Sequence, residues 1–135
     1  MSEAQVLLVD DAEGVRTLTF NRPDALNAFN QELWYATADA LDQAAVDDAI
    51  RCVLITGTGR AFTAGQDLGE MADPSVFADQ EPGYNRFMPA LESFPKPVVA
   101  AVNGVGVGIG LTLLLHCDLV LMSDTARIKV PFISL

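Results

Sequence analysis

Twice in this chain an apolar, strand-like run empties into a glycine-bearing loop that opens a helix, and that repetition constrains the fold more than any other feature. The first run, residues 50–56, leads to Ala61-Phe62-Thr63-Ala64-Gly65-Gln66-Asp67-Leu68. The second, residues 98–102, leads to Asn103-Gly104-Val105-Gly106-Val107-Gly108-Ile109-Gly110. Strands that alternate with helices pair in parallel through right-handed crossovers. The expected class is therefore α/β with a largely parallel sheet. Glycine at such a junction lets backbone pass close to a ligand. The helix that follows presents unpaired N–H groups. Two such loops, brought together, could aim two N–H groups at one oxygen, which is the geometry of an oxyanion hole.

The rest of the chain fits around these units. Apolar runs at 5–9 and 15–20 flank Asp10-Asp11-Ala12-Glu13-Gly14 and read as a hairpin with a longer loop. Asn21-Arg22-Pro23-Asp24 breaks the strand. From residue 30 to 46 the period turns helical, with Phe29, Leu33, Ala36, Ala40, Leu41 and Ala44 on one face and Asn27 or Asn30 as the cap. A short helix at 67–71 precedes a segment, 72–83, that reads as mobile surface. Then follow a helix at 84–93, stopped by Pro95 and Pro97, a strand at 98–102, a helix at 109–116, a strand at 118–122 and one more at 126–130. The order through residue 122 is β-β-α-β-α-α-β-α-β, in one domain over residues 1–135. The apolar tail Pro131-Phe132-Ile133-Ser134-Leu135 calls for a cover, so association or a longer parent chain is expected, the latter favoured.

Composition removes whole classes of function. A formal net charge of −10 argues against nucleic acid and anionic membrane as partners. No apolar run is long enough to span a bilayer, the first residues lack a signal-peptide layout, and a cytoplasmic location is expected. Cys52 and Cys117 form no CxxC pair or Cys/His cluster, so no metal site is expected and both thiols should be reduced. His116, the one histidine, reads as packed or hydrogen-bonded. A dinucleotide fingerprint fails because the third glycine would fall at Ile109.

Read from the residues alone, the glycine loops are either oxyanion donors or simply tight strand-to-helix turns. Backbone donors do not depend on side-chain identity, so Gln66 and Ile109 qualify. Among the acids, Asp67 reads as the cap of the next helix and Asp118 as a backbone organiser. Glu70 reads as facing solvent, and Glu81 and Glu92 as exposed charge. The segment 109–115 is almost wholly apolar, which predicts burial on every side.

Taken together, several segments resemble the crotonase, or enoyl-CoA hydratase/isomerase, superfamily. They are Asn21-Arg22-Pro23 with Asn27-Ala28, then residues 60–68, then Lys96-Pro97-Val98-Val99-Ala100-Ala101-Val102-Asn103-Gly104, and Cys117-Asp118. The resemblance implies a spiral of ββα units that binds acyl-coenzyme A, here the N-terminal half, ending before the C-terminal helices. It implies that the Gln66 and Ile109 N–H groups form the oxyanion hole, with Gly65, Asp67, Leu68 and Gly108 around it. Ala64, Asp24 and Ala25 would line the adenine end, and Arg22 would approach phosphate. Family hydratases carry two glutamates, which would fall at Thr112 and Phe132. Neither position is a carboxylate, and neither side chain can act as a general base at neutral pH. The pattern is closer to the Δ3,Δ2-enoyl-CoA isomerase-like branch, whose single carboxylate lies beyond Leu135 in the family order. The reaction implied is double-bond migration in fatty acid metabolism. A hydratase with non-standard residues and a non-catalytic acyl-CoA binder are the alternatives. No cofactor would be permanently bound, coenzyme A entering as part of the substrate. The assembly implied is a homo-oligomer, a trimer or a hexamer, and 72–83 would border the acyl tunnel.

Overall fold

The computed structural model of the chain describes residues 5–130. Its first element is an antiparallel hairpin of β1 (Leu7–Ala12) and β2 (Val15–Phe20), with Leu7 opposite Phe20 and Ala12 opposite Val15. Strand β1 runs through Asp10 and Asp11, where the sequence suggests a loop. Two local causes account for this. Glu13 and Gly14 both take positive φ, 54° and 82°, as a tight hairpin turn requires. Asp11 also lies directly across from Arg16, whose Nε and Nη2 donate to its two carboxylate oxygens at 2.8 and 2.9 Å. A bidentate cross-strand pair makes an acidic residue welcome in a strand.

Three strands then add in parallel: β3 (Cys52–Gly57), β5 (Val98–Val102) and β7 (Leu119–Met122). The sheet order is β1-β2-β3-β5-β7. A second, parallel sheet joins β4 (Ala61–Thr63), β6 (Val105–Val107) and β8 (Ile128–Lys129). Strands β4 and β6 lie inside the glycine loops and went unforeseen, because three residues are too few to show alternation. The α/β class and the predominance of parallel pairing match expectation.

Helix α1 (Gln31–Val46) starts at Asn30, whose side chain accepts the Leu33 N–H at 2.9 Å. Asn27 is no cap. It is fully buried in left-handed backbone, φ 57°, and its amide donates to the carbonyls of Thr58 and Ala61. At the far end of α1 the Lys96 ammonium donates to the carbonyls of Ala44, Asp47 and Ile50 at 2.7, 2.8 and 2.7 Å. The first two are carbonyls that a helix end leaves over, and the third belongs to the turn that follows. Helices α2 (Leu68–Met71) and α3 (Tyr84–Glu92) follow. The segment between them is not featureless. It holds a 3₁₀ turn, Pro74–Phe77, and the Glu81 carbonyl accepts from Gln31 Nε2 and the Tyr35 hydroxyl.

The core sits between α1 and the five-stranded sheet. Phe20, Phe29, Trp34, Phe62 and Phe87 are all within 2% of complete burial and stack edge-on or tilted upon one another. The last part of the chain differs. Helix α4 (Ile109–Thr112) passes into a 3₁₀ turn, Leu113–His116. Leu113 and Leu114 are buried, but Leu115 is 82% exposed, so the expectation of burial on every side fails. His116 is exposed and takes no side-chain hydrogen bond among the described residues, contrary to the packed role expected. Every residue of β7 is exposed, as is Ile128 in β8, because no described element lies over them. The tail 131–135, expected to pack, lies outside the described residues.

Candidate functional site

The first glycine loop is held by its own neighbours. Thr63 Oγ1 donates to the Asn27 carbonyl at 2.7 Å and accepts the Gly65 N–H at 3.1 Å. The Ala64 N–H donates to the Leu26 carbonyl at 2.9 Å. Gly65 sits at φ 99°, a region that glycine alone enters freely. Its carbonyl accepts the Phe29 N–H at 2.7 Å, and the Asp67 N–H returns to the Phe29 carbonyl at 2.9 Å. A trans peptide is planar, so its C=O and N–H point in opposite directions. Fixing the Gly65 carbonyl on Phe29 therefore turns the Gln66 N–H away from Phe29. That N–H has no acceptor among the described residues.

The second loop obeys the same logic. Gly106 and Gly108 donate to the carbonyls of Arg127 and Lys129 at 2.8 and 2.9 Å. The Gly108 carbonyl accepts from Leu111 and Thr112 at 2.9 and 3.0 Å, which pins it along α4. The Ile109 N–H must then point out of the start of that helix, and it too lacks an acceptor among the described residues. The loops touch. Strands β4 and β6 pair in parallel, and a Cβ on Gly65 would lie 2.8 Å from the Val107 carbonyl oxygen. A Cβ on Gly110 would lie 2.5 Å from that of Thr63. Nothing larger than glycine permits this approach.

Both loops line one cavity of about 460 Å³. From the residues named by sequence it gathers Ala64, Gly65, Gln66, Leu68, Gly108, Ile109 and Thr112. It adds Trp34, Met71, Tyr84 and Val107, which sequence reasoning missed. Trp34 lies beside the apolar stripe read on α1, and nothing in the sequence set it apart. Its indole N–H donates to Gln66 Oε1 at 3.1 Å. No residue in this lining carries a carboxylate. A groove of about 500 Å³ between β1 and α1, bordered by Val6, Leu7, Ala36 and Ala40, contains neither loop.

Four named residues stand outside the lining. Arg22 Nη1 donates to the Ala28 carbonyl at 2.6 Å and to Asp67 Oδ2 at 3.1 Å, so its guanidinium is tied inward. Asp67 caps α2 by accepting the Glu70 N–H. Burial pushes the Asp67 carboxyl up, but the Glu70 N–H and Arg22 outweigh it and hold it below the ordinary range. Asp24 and Ala25 belong to a 3₁₀ turn, Pro23–Ala25, which the Ala64-to-Leu26 hydrogen bond holds beside the first loop. Phe132 lies outside the described residues.

Other expectations resolve individually. Glu70 does not simply face solvent, because its carboxylate accepts the Gln31 N–H at 2.6 Å. Asp118 orders backbone by accepting the Val98 N–H at 2.8 Å. Burial, and then the Asp118 charge, push the Cys117 thiol up to about 11, so it is not a thiolate at neutral pH. Among the described residues no three metal-binding side chains cluster, and no helix is long and apolar enough to cross a membrane.

Comparison with known proteins agrees with this architecture. The family model described as enoyl-CoA hydratase/isomerase matches residues 10–135. The 1,2-epoxyphenylacetyl-CoA isomerase of Escherichia coli is 45% identical over 89% of this chain and 48% of its own length. Enoyl-CoA delta isomerase 2 of Homo sapiens is 37% identical over 95% of this chain and 34% of its own length. The chain thus spans half or less of these curated relatives. The crystal structure of an enoyl-CoA hydratase from Mycobacterium marinum superposes with a TM-score of 0.88 at 51% identity, over 96% of this chain and 63% of that one.

Proposed function

The chain belongs to the enoyl-CoA hydratase/isomerase family, and from that membership we propose that it binds an acyl-coenzyme A thioester and stabilises the thioester's enolate through the backbone N–H groups of Gln66 and Ile109. The observation that carries this reading is the pairing of two acceptor-free N–H groups on one cavity wall. When a proton leaves C2 of the acyl chain, negative charge gathers on the thioester oxygen. Donors fixed beforehand by a loop need no reorganisation at that moment. Each such donor contributes roughly 10²–10³ in rate. Leu68, Met71, Tyr84 and Val107 give the acyl chain an apolar wall. The adenine end is assigned to Ala64 with the adjacent turn at Asp24 and Ala25. Arg22 and Asp67 hold that turn against the loop, and reach the ligand only by leaving each other.

The reaction assigned is double-bond migration, in which one base carries a proton from C2 to C4. Thr112 cannot be that base at neutral pH. In this reading the base lies in sequence following residue 135 in the family order, and the working unit is a cytoplasmic homo-oligomer. The relative named as an enoyl-CoA delta isomerase fits migration and the one named as an enoyl-CoA hydratase fits hydration, so the choice of migration rests on the absence of a carboxylate at Thr112. A second reading, an acyl-CoA binder without turnover, is favoured by the carboxylate-free lining.

Calorimetric titration with crotonyl-CoA and with a β,γ-unsaturated acyl-CoA tests both readings. Saturable heat is expected with each, and little turnover from this chain alone. Absence of heat with every thioester refutes acyl-CoA binding. Brisk hydration of crotonyl-CoA refutes the missing base. Joining the chain to the remainder of a relative's fold and recovering isomerisation separates the enzyme from the binder.

A further inference from the structure

We infer that Trp34 is a positioning residue, whose indole N–H holds the Gln66 side chain and thereby fixes the direction in which the Gln66 backbone N–H points. The inference rests on the acyl-CoA reading above and adds a part that the reading does not require. The Gln66 peptide is anchored at its carbonyl end, where Gly65 accepts from Phe29. Its Cα end follows Gly65, a residue with φ 99° and no side chain of its own to restrain it. The Asp67 N–H on the Phe29 carbonyl holds the backbone beyond Gln66, and the hydrogen bond from Trp34 Nε1 to Gln66 Oε1, at 3.1 Å, adds an anchor on the side chain.

An anchor is useful only if it cannot move. Trp34 is 1% exposed. Its ring lies 4.1 Å from that of Phe29 and 5.2 Å from that of Phe87, centre to centre, with Tyr84 edge-on at 5.6 Å. Gly83 closes over its Cβ so tightly that an added methyl would collide there. The first turn of α1 is itself bolted down. Gln31 donates its N–H to Glu70, its Nε2 to the Glu81 carbonyl, and accepts the Gly83 N–H at 2.7 Å. The indole is therefore a fixed post on a fixed helix end, and Gln66 leans on it.

The test compares charged and uncharged thioesters. Acetoacetyl-CoA forms an enolate with a near-ultraviolet band, so its enolate-to-ketone ratio when bound reports oxyanion stabilisation. Butyryl-CoA stays uncharged and reports ordinary affinity. Trp34→Phe keeps the ring and removes the N–H. It should lower the bound enolate-to-ketone ratio by roughly five-fold, the weight of one neutral hydrogen bond. Calorimetric affinity for butyryl-CoA, whose neutral carbonyl gains less from the same donor, should fall by a smaller factor, and an equal fall for both thioesters overturns the role. Gln66→Met keeps the backbone donor and removes the acceptor, and should match it. The double variant should be no worse than either single one, as expected when both substitutions delete one interaction. Trp34 is the single tryptophan, so its emission in Gln66→Met should shift as the indole loses its acceptor, whether or not ligand is present. If Trp34→Phe and Gln66→Met bind butyryl-CoA normally and enolise acetoacetyl-CoA like the parent, the role of Trp34 falls and acyl-CoA binding stands. A parent chain giving no heat with butyryl-CoA overturns both. Additive losses in the double variant also overturn the role.

Discussion

The surroundings of Trp34 and the strand β7 are equally apolar in sequence and opposite in environment. Around Trp34, the rings of Phe29, Tyr84 and Phe87 pack closely and leave it 1% exposed. Along β7, Leu119, Val120, Leu121 and Met122 are all exposed, with Leu121 at 56%. Strand β5 has a similar composition, Val-Val-Ala-Ala-Val, yet it is buried or half-buried throughout because strands flank it on both sides. Burial here follows position in the sheet more than hydropathy. The contrast also separates stability, concentrated in the α1 half, from the apolar surface that the other half still presents.

Substitutions can break this contrast. Trp34→Ala should cost about 3–5 kcal/mol, the usual range for emptying a packed aromatic site. Leu121→Ala should stay within about 0.5 kcal/mol, as exposed sites do. Urea midpoints measure both, and a costly Leu121→Ala would show that β7 is covered in solution. Next comes Gly65→Ala, which combines positive φ with a Cβ driven against the Val107 carbonyl. It should cost about 2–3 kcal/mol and abolish thioester binding. Gly108→Ala, with open space around the Cβ but φ 60° and ψ −114°, should cost about 1–3 kcal/mol from backbone strain alone.

Smaller effects sharpen the picture of the α1 half. Lys96→Met takes one donor from each of three carbonyls and should cost about 2 kcal/mol, read from the melting temperature. Asp67→Ala removes a cap and should cost about 1 kcal/mol at neutral pH. The carboxyls of Asp67 and Asp11 are held below their ordinary range, Asp67 by Glu70 and Arg22 against the pull of burial, Asp11 by Arg16. A depressed folded-state value contributes stability above the unfolded value of about 4 and loses it as pH falls through the folded one. The penalty of Asp67→Ala should therefore shrink as the medium is acidified through that window. A penalty constant with pH would show that the carboxylate charge is irrelevant to the cap.

Much of the fold was legible because its signals are local. Asn30, Asp67 and Gly65 each announce a turn or cap within a few residues, and strand 98–102 needed only its prolines and valines. What stayed hidden depends on partners far along the chain. Nothing near Lys96 in the sequence assigns it a partner until the end of α1 arrives beside it. Glu70 reads as solvent-facing until Gln31 offers its N–H. Leu115 reads as buried because periodicity cannot say whether anything lies opposite. In the candidate site, both backbone donors were placed by their loops, whereas Trp34 and Tyr84 enter through tertiary packing that no spacing encodes.

The order β1-β2-β3-β5-β7 has a consequence for how the molecule is made. Apart from the short strands set aside in the second sheet, each strand docks on one synthesised before it. A polypeptide leaving the ribosome can thus lay down its main sheet like courses of brick. Every new course finds its mortar already set, and the growing edge is always the newest strand.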